Sequence, residues 1–178
     1  MIDKFKNYEP KIGKNVYIAS TAEVIGRTEI GTDSSVWFGV VIRGDVHYIK
    51  IGERTSIQDL SMIHVTHFTK EDESDGFPVN IGNDVVVGHR VMLHGCTIRN
   101  ACLIGMSATL LDGCEIGEES IVAAGSVVTE GKKFPPRSLI MGTPAKVVRT
   151  LSEQEIAGIY YSARNYVRYK NEYLEMKK

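Results

Sequence analysis

The feature that most constrains this chain is a period of six. Aliphatic residues recur at Ile12, Ile18, Val24, Ile30, Val36 and Ile42, resume at Ile51, Ile57 and Ile63, and return at Ile81, Val87 and Leu93. After one five-residue step the series continues through Ile98, Ile104, Leu110, Ile116, Val122 and Val128. Glycine often follows the aliphatic residue, and small or β-branched residues recur four positions after it, as at Thr55, Val85, Cys102, Ala108 and Ser126. Six suits neither the 3.6-residue period of an amphipathic helix nor the two-residue alternation of a half-buried strand. It suits a triangular solenoid, in which each hexapeptide forms one short face and turns one corner. Three faces, roughly eighteen residues, make a coil, and stacked coils bury a continuous core between neighbours. Glycine at such sites is expected to relieve crowding at tight bends.

The expectation is an all-β solenoid, a parallel β-helix over about 11–134, ending near Phe134-Pro135-Pro136. A helix over about 152–176 follows, and the chain reads as a single domain, 1–178. Ser152-Glu153-Gln154-Glu155 forms a capping box, with Leu151 and Ile156 placed for a hydrophobic staple. Ile156, Tyr160, Ala163, Val167, Lys170 and Leu174 step along one helical face. Gly158 weakens the helix by about 1 kcal/mol relative to alanine, so packing on the prism must hold it. Two interruptions stand out, between Ile42 and Ile51 and between Ile63 and Ile81; the second holds the charged run Lys70-Glu71-Asp72-Glu73-Ser74-Asp75-Gly76.

Composition excludes several functions. A formal net charge of −1 over 178 residues gives no general electrostatic reason to bind nucleic acid or an anionic membrane. No apolar run reaches the length of a bilayer span. The first residues lack the apolar stretch of a signal peptide, so a cytoplasmic location is expected. Cys96, Cys102 and Cys114 are too widely spaced for a Cys-x-x-Cys site and are expected to be packed, inert thiols.

Counting faces from Ile12 places Ile42, Ile63 and Leu93 at the start of the third face, and Ile57 and Val87 at the start of the second. Arg43, His64 and His94 then share one outward column on successive coils, while His89 shares a column with Asp59, beside Gln58. Adjacent coils lie about 4.8 Å apart, so His64 and His94 project side by side, close enough to share a metal. His89 lies around a corner, poorly placed to complete that site within its own subunit. It could join the pair if the second face of one subunit met the third face of the next around a three-fold axis. All five histidines fall between His47 and His94.

At this point the chain resembles the γ-class carbonic anhydrase family, over nearly its whole length. The resemblance is carried by Val41-Ile42-Arg43-Gly44-Asp45, Ile57-Gln58-Asp59, Ile63-His64-Val65 and the run from Val87 through Gly88-His89-Arg90-Val91-Met92-Leu93-His94 to Cys96. It implies a left-handed β-helix, a homotrimer, and metal ligation by His64, His89 and His94, with His89 donated by the neighbouring subunit. It also implies ion pairs of Arg43 and Asp45 across the subunit interface. Gln58 would bond the metal-activated water, and Asp59 would organise its surroundings. Val46 and His67 stand where the best-studied branch carries glutamates, and Tyr166 where it carries an active-site asparagine. The chain is thus similar to the shorter branch, which lacks the long acidic loop.

The function expected is reversible hydration of carbon dioxide to bicarbonate. Zinc is the default ion, and imidazole also suits ferrous iron or cobalt. His67 is a candidate proton shuttle, because imidazole titrates near neutral pH. Two alternatives share the solenoid. One is a hexapeptide-repeat acyltransferase using coenzyme A, which would need one histidine as base and no metal. The other is a metal-binding assembly or scaffold protein with little catalysis.

Overall fold

The computed structural model describes residues 1–176 as a parallel β-solenoid with one C-terminal helix, Glu153–Glu175. The hexapeptide series sets the register. Ile18, Val36, Ile57, Val87, Ile104 and Val122 stack in parallel along one sheet. Val24, Ile42, Ile63, Leu93, Leu110 and Val128 form a second row, and Ile12, Ile30, Ile51, Ile81, Ile98 and Ile116 a third. The second and third rows join into one twelve-stranded sheet, because strands Glu23–Ile30 and Val41–Ile51 run without interruption around the corner between them. Nearly all of these aliphatic side chains are buried, and together they form one core.

The small residues near the corners serve the backbone as well as the packing. Ser34 Oγ donates to the Gly52 carbonyl at 2.8 Å, Thr55 Oγ1 to Gly82 at 2.8 Å, and Ser61 Oγ to Gly88 at 2.9 Å. Each hydroxyl satisfies a carbonyl of the next coil that would otherwise be buried without a donor. The glycines that directly follow the aliphatic residues, such as Gly31, Gly52 and Gly82, answer to stacking rather than to left-handed bends. A Cβ on Gly52 would lie 2.6 Å from the Gly82 carbonyl carbon of the coil above. The positive φ angles of these corners fall instead on residues such as Asn15, Asp33, Arg54 and Asp84.

The series continues one face past the Pro135-Pro136 pair. Strand Ser138–Gly142 stacks in parallel on Ile121–Val122, then pairs antiparallel with Ala145–Thr150. The prolines occupy the corner before that strand, where ladder donors are not required of them. The helix begins with Ser152 as N-cap and the full capping box. Ile156, Ile159, Ala163 and Lys170 are its buried residues, so Ile159 rather than Tyr160 carries the second turn of the contact face. An aromatic cluster of Tyr17, Trp37, Tyr166 and Tyr173 joins the helix to the first sheet.

The three cysteines are free and buried. The Cys96 thiol is pushed up by a hydrogen bond with Cys114 and by burial, and burial pushes Cys102 up to about 12, so neither is ionised near neutral pH.

Candidate functional site

His64 closes strand Met62–His64 and His94 closes strand Met92–His94, and the two are direct partners in the parallel ladder. Their rings lie 5.1 Å apart between centroids, with His64 Nδ1 3.1 Å from His94 Nε2. Arg43 precedes His64 in the same column, since Ile42 pairs with Ile63. Arg43 pairs within its own chain with Asp45, whose other oxygen lies 3.0 Å from His64 Nε2. Burial pushes the Asp45 carboxyl up, but the hydrogen bonds from His64 and Arg43 outweigh it and hold the group below its ordinary range. Burial drives the His64 imidazole down, and Asp45 offsets this only in part. His64 is therefore disposed to stay neutral, with a lone pair to offer.

His89 lies beyond the end of strand Val86–Val87, on the sheet that the helix covers. It stacks over Asp59, whose carbonyl accepts from Arg90 N–H at 2.9 Å, and its Nδ1 lies 2.9 Å from Asp59 Oδ2. Gln58, next to Asp59, is buried, and its amide lies near the hydroxyl of Tyr166 from the helix. Burial, with the nearby Asp59 charge, raises the Tyr166 phenol above its usual range, so it stays protonated. The structure thus gathers two groups, His64–His94–Asp45–Arg43 and His89–Asp59–Gln58–Tyr166. Among the described residues no three His, Cys, Asp or Glu side chains of one chain are placed to share a metal. The physical reason is the corner between the two sheets, which separates His89 from the histidine pair.

His67 is exposed in the loop after His64. It lines a cleft of about 430 Å³ with Asp45, Val46, Arg27, Tyr8 and Phe68. His47 is buried between Phe68 and Tyr48, where its Nδ1 accepts from the Tyr48 N–H, and it takes no part in either group.

One carboxylate near the histidines went unseen in the sequence. Asp112 Oδ1 lies 2.6 Å from His94 Nδ1, and Thr66 Oγ1 donates to Asp112 Oδ2 at 2.6 Å. The signal was available, since Leu93 pairs with Leu110 and Asp112 therefore sits one coil beyond Gly95. Each of the three histidines is thus held by one carboxylate of its own chain: His64 by Asp45, His89 by Asp59 and His94 by Asp112.

Comparison with known proteins gives this arrangement a context. The family described as bacterial transferase hexapeptide (six repeats) matches residues 9–44 and 95–130. The chain is 48% identical to protein YrdA of Escherichia coli, over 96% of this chain and 92% of that one. It is 42% identical to a carbonic anhydrase of Geobacillus kaustophilus, over 94% of this chain and 87% of that protein. It is also 42% identical to the mitochondrial gamma carbonic anhydrase 2 of Arabidopsis thaliana, over 89% of this chain and 56% of that longer protein. Among solved structures, a hexapeptide transferase family protein from Anaplasma phagocytophilum superposes with a TM-score of 0.89 at 34% identity, over 97% of this chain and 98% of that one. With its hexapeptide ladder and with relatives of this closeness and coverage, the chain belongs to the γ-class carbonic anhydrase family.

Proposed function

We propose that this protein interconverts carbon dioxide and bicarbonate at a metal site shared between subunits of a homotrimer. In this reading His64 and His94 of one subunit and His89 of the next hold the ion, which is zinc by default. The observation that carries it is the ladder pairing of His64 with His94, their facing ring nitrogens 3.1 Å apart. Two imidazole nitrogens each about 2.0–2.1 Å from a tetrahedral zinc would lie roughly 3.3–3.4 Å apart, so the pair is close to the required span. Carboxylates on the remaining ring nitrogens are the partners that metal-bound histidines ordinarily have. The donor set therefore fits the metal that the family implies, provided a second chain supplies the third histidine.

When bound, such an ion lowers the pKa of water to about 7 and so supplies hydroxide near neutral pH. The chain's own residues do the rest. Gln58 is neutral and buried beside Tyr166, so it can orient the nucleophile without adding charge. Asp59 and Asp45 hold the rings of His89 and His64. Each hydration releases a proton, and His67 can take it to solvent from the mouth of the cleft that Asp45 also lines. Arg43 braces Asp45.

The test is metal analysis of purified protein, paired with a carbon dioxide hydration assay and sedimentation. A trimer carrying about one metal per subunit, and active, is expected. His64→Ala, His89→Ala and His94→Ala should each lose most of the metal, because one missing ligand leaves the shell incomplete. A stable monomer with bound metal, or full metal in His89→Ala, would overturn the shared site. Full metal without hydration would leave a scaffold role.

A further inference from the structure

We propose that Thr66 and Asp112 form a positioning pair that fixes the ring of His94 and holds its Nε2 lone pair toward His64. This rests on the metal reading above and adds to it two residues with no role so far. Asp112 spends one oxygen on His94 Nδ1 and the other on the Thr66 hydroxyl, both at 2.6 Å. With both oxygens committed, the carboxylate cannot rotate without losing a bond. An ionised carboxylate only accepts, so Nδ1 of His94 carries the proton and Nε2 is left as the acceptor. Among the described residues Arg43 shares Asp45 with His64, whereas the ion pairing of Asp112 is to His94 alone.

Local backbone geometry is arranged around this approach. Gly95 has φ +55°, and a Cβ there would overlap Asp112 Oδ1 and lie 2.6 Å from Phe77 Cβ. Glycine directly after His94 therefore makes the room that Asp112 fills. Phe77 also packs over Gly113, where a Cβ would lie 2.9 Å from its ring. Thr66 and Phe77 exchange backbone hydrogen bonds at 3.0 and 3.1 Å, closing the neck of the charged loop. That closure sets the Thr66 hydroxyl against Asp112. The neck of the loop, and not its acidic tip, thus belongs to the site.

The experiment uses the full-length protein with Asp112→Ala, Asp112→Asn, Thr66→Val and Thr66→Ser. Two quantities are measured: zinc affinity by competition with a chelator, and the ring ¹⁵N shifts of His94 in metal-free protein. Wild type should show His94 as the Nδ1–H tautomer. Asp112→Ala should mix the tautomers and weaken zinc binding about 10–100-fold, the usual cost of losing such a partner. Asp112→Asn, which keeps an accepting oxygen, should fall between. Thr66→Val should weaken binding several-fold, and Thr66→Ser should restore it. If Asp112→Ala fails to fold, Asp112→Asn and Thr66→Val still decide the matter through the same two readings. An unchanged tautomer together with unchanged zinc affinity in the Asp112 variants overturns the pair. A wild-type protein without zinc affinity sinks the metal reading instead, and the His94 tautomer then decides the positioning pair by itself.

Discussion

Gln58 shows how much one side chain of the candidate site depends on a distant part of the chain. Its side chain is buried, and the hydroxyl beside its amide comes from Tyr166 on the C-terminal helix. Tyr166→Phe removes that hydroxyl and keeps the ring against Trp37, which it meets edge-on with centroids 6.0 Å apart. A hydrogen bond from the Gln58 amide to that hydroxyl would contribute about 1 kcal/mol, so hydration should slow roughly 3–10-fold with metal content unchanged. Gln58→Ala should slow it further, and neither loss should respond to buffer. His67→Ala should behave differently, slowing the reaction in dilute buffer and recovering in concentrated imidazole-type buffer, since small bases can carry the same proton. A wild-type rate indifferent to buffer would remove His67 from the mechanism. At this scale the sequence was readable where residues repeat in register: the ladder puts His94 on His64 as counting coils predicts. Asp112 was not read, because a five-residue step between Leu93 and Ile98 moves it out of the column of His94, and because an aspartate before glycine resembles any solvated corner.

The helix is the element whose attachment matters most, since it delivers Tyr166. Lys170 lies four residues further on, in the helical stripe that reads as apolar, and its side chain is fully buried. It is there because three oxygens meet it: Asn15 O at 2.7 Å, Asp33 Oδ1 at 2.8 Å and Asn171 Oδ1 at 2.7 Å. Hydropathic periodicity cannot distinguish such a lysine from a stem packed under a solvated head. Lys170→Met leaves those oxygens without their donor and should cost about 2–3 kcal/mol in denaturant unfolding. The other end of the helix is legible from its capping box alone. Ser152→Ala should cost about 1 kcal/mol. Hydrogen bonds from Arg149 and Ser152 lower the Glu155 carboxyl to about 2, against an ordinary 4.5. A carboxyl lowered on folding adds stability that is whole above about 4.5 and is lost as pH falls through about 2. Glu155 is partly exposed, so solvent screens the effect and keeps it small. Hydrogen-exchange protection at the first helical turn, corrected for the intrinsic pH dependence of exchange, should fall as pH drops through that window in wild type and vary less in Glu155→Gln.

For the whole molecule, the proposed division of ligands between chains makes an arithmetic prediction. Mixing equal amounts of unfolded His64→Ala and His89→Ala chains and refolding them gives mixed trimers in about three cases of four. Every mixed trimer holds one complete site in three, so about a quarter of wild-type metal should return, although each variant alone binds almost none. No recovery would mean that the three histidines act within one chain or not at all. Among the described residues no helix is long and apolar enough to cross a membrane. The triangular cross-section was legible because a repeat constrains every coil at once, whereas the corner that parts His89 from its fellows matters only when a second chain is considered. The closed neck at Thr66 and Phe77 has a consequence for how such proteins can diverge. His64 and His94 lie thirty positions apart along the chain, yet their spacing is dictated by a single rung of the ladder. Residues 69–76, beyond the neck and the shuttle candidate His67, can be inserted, deleted or exchanged without shifting either ring, so the tip of this excursion can be remodelled while the histidine pair beneath it stays in register.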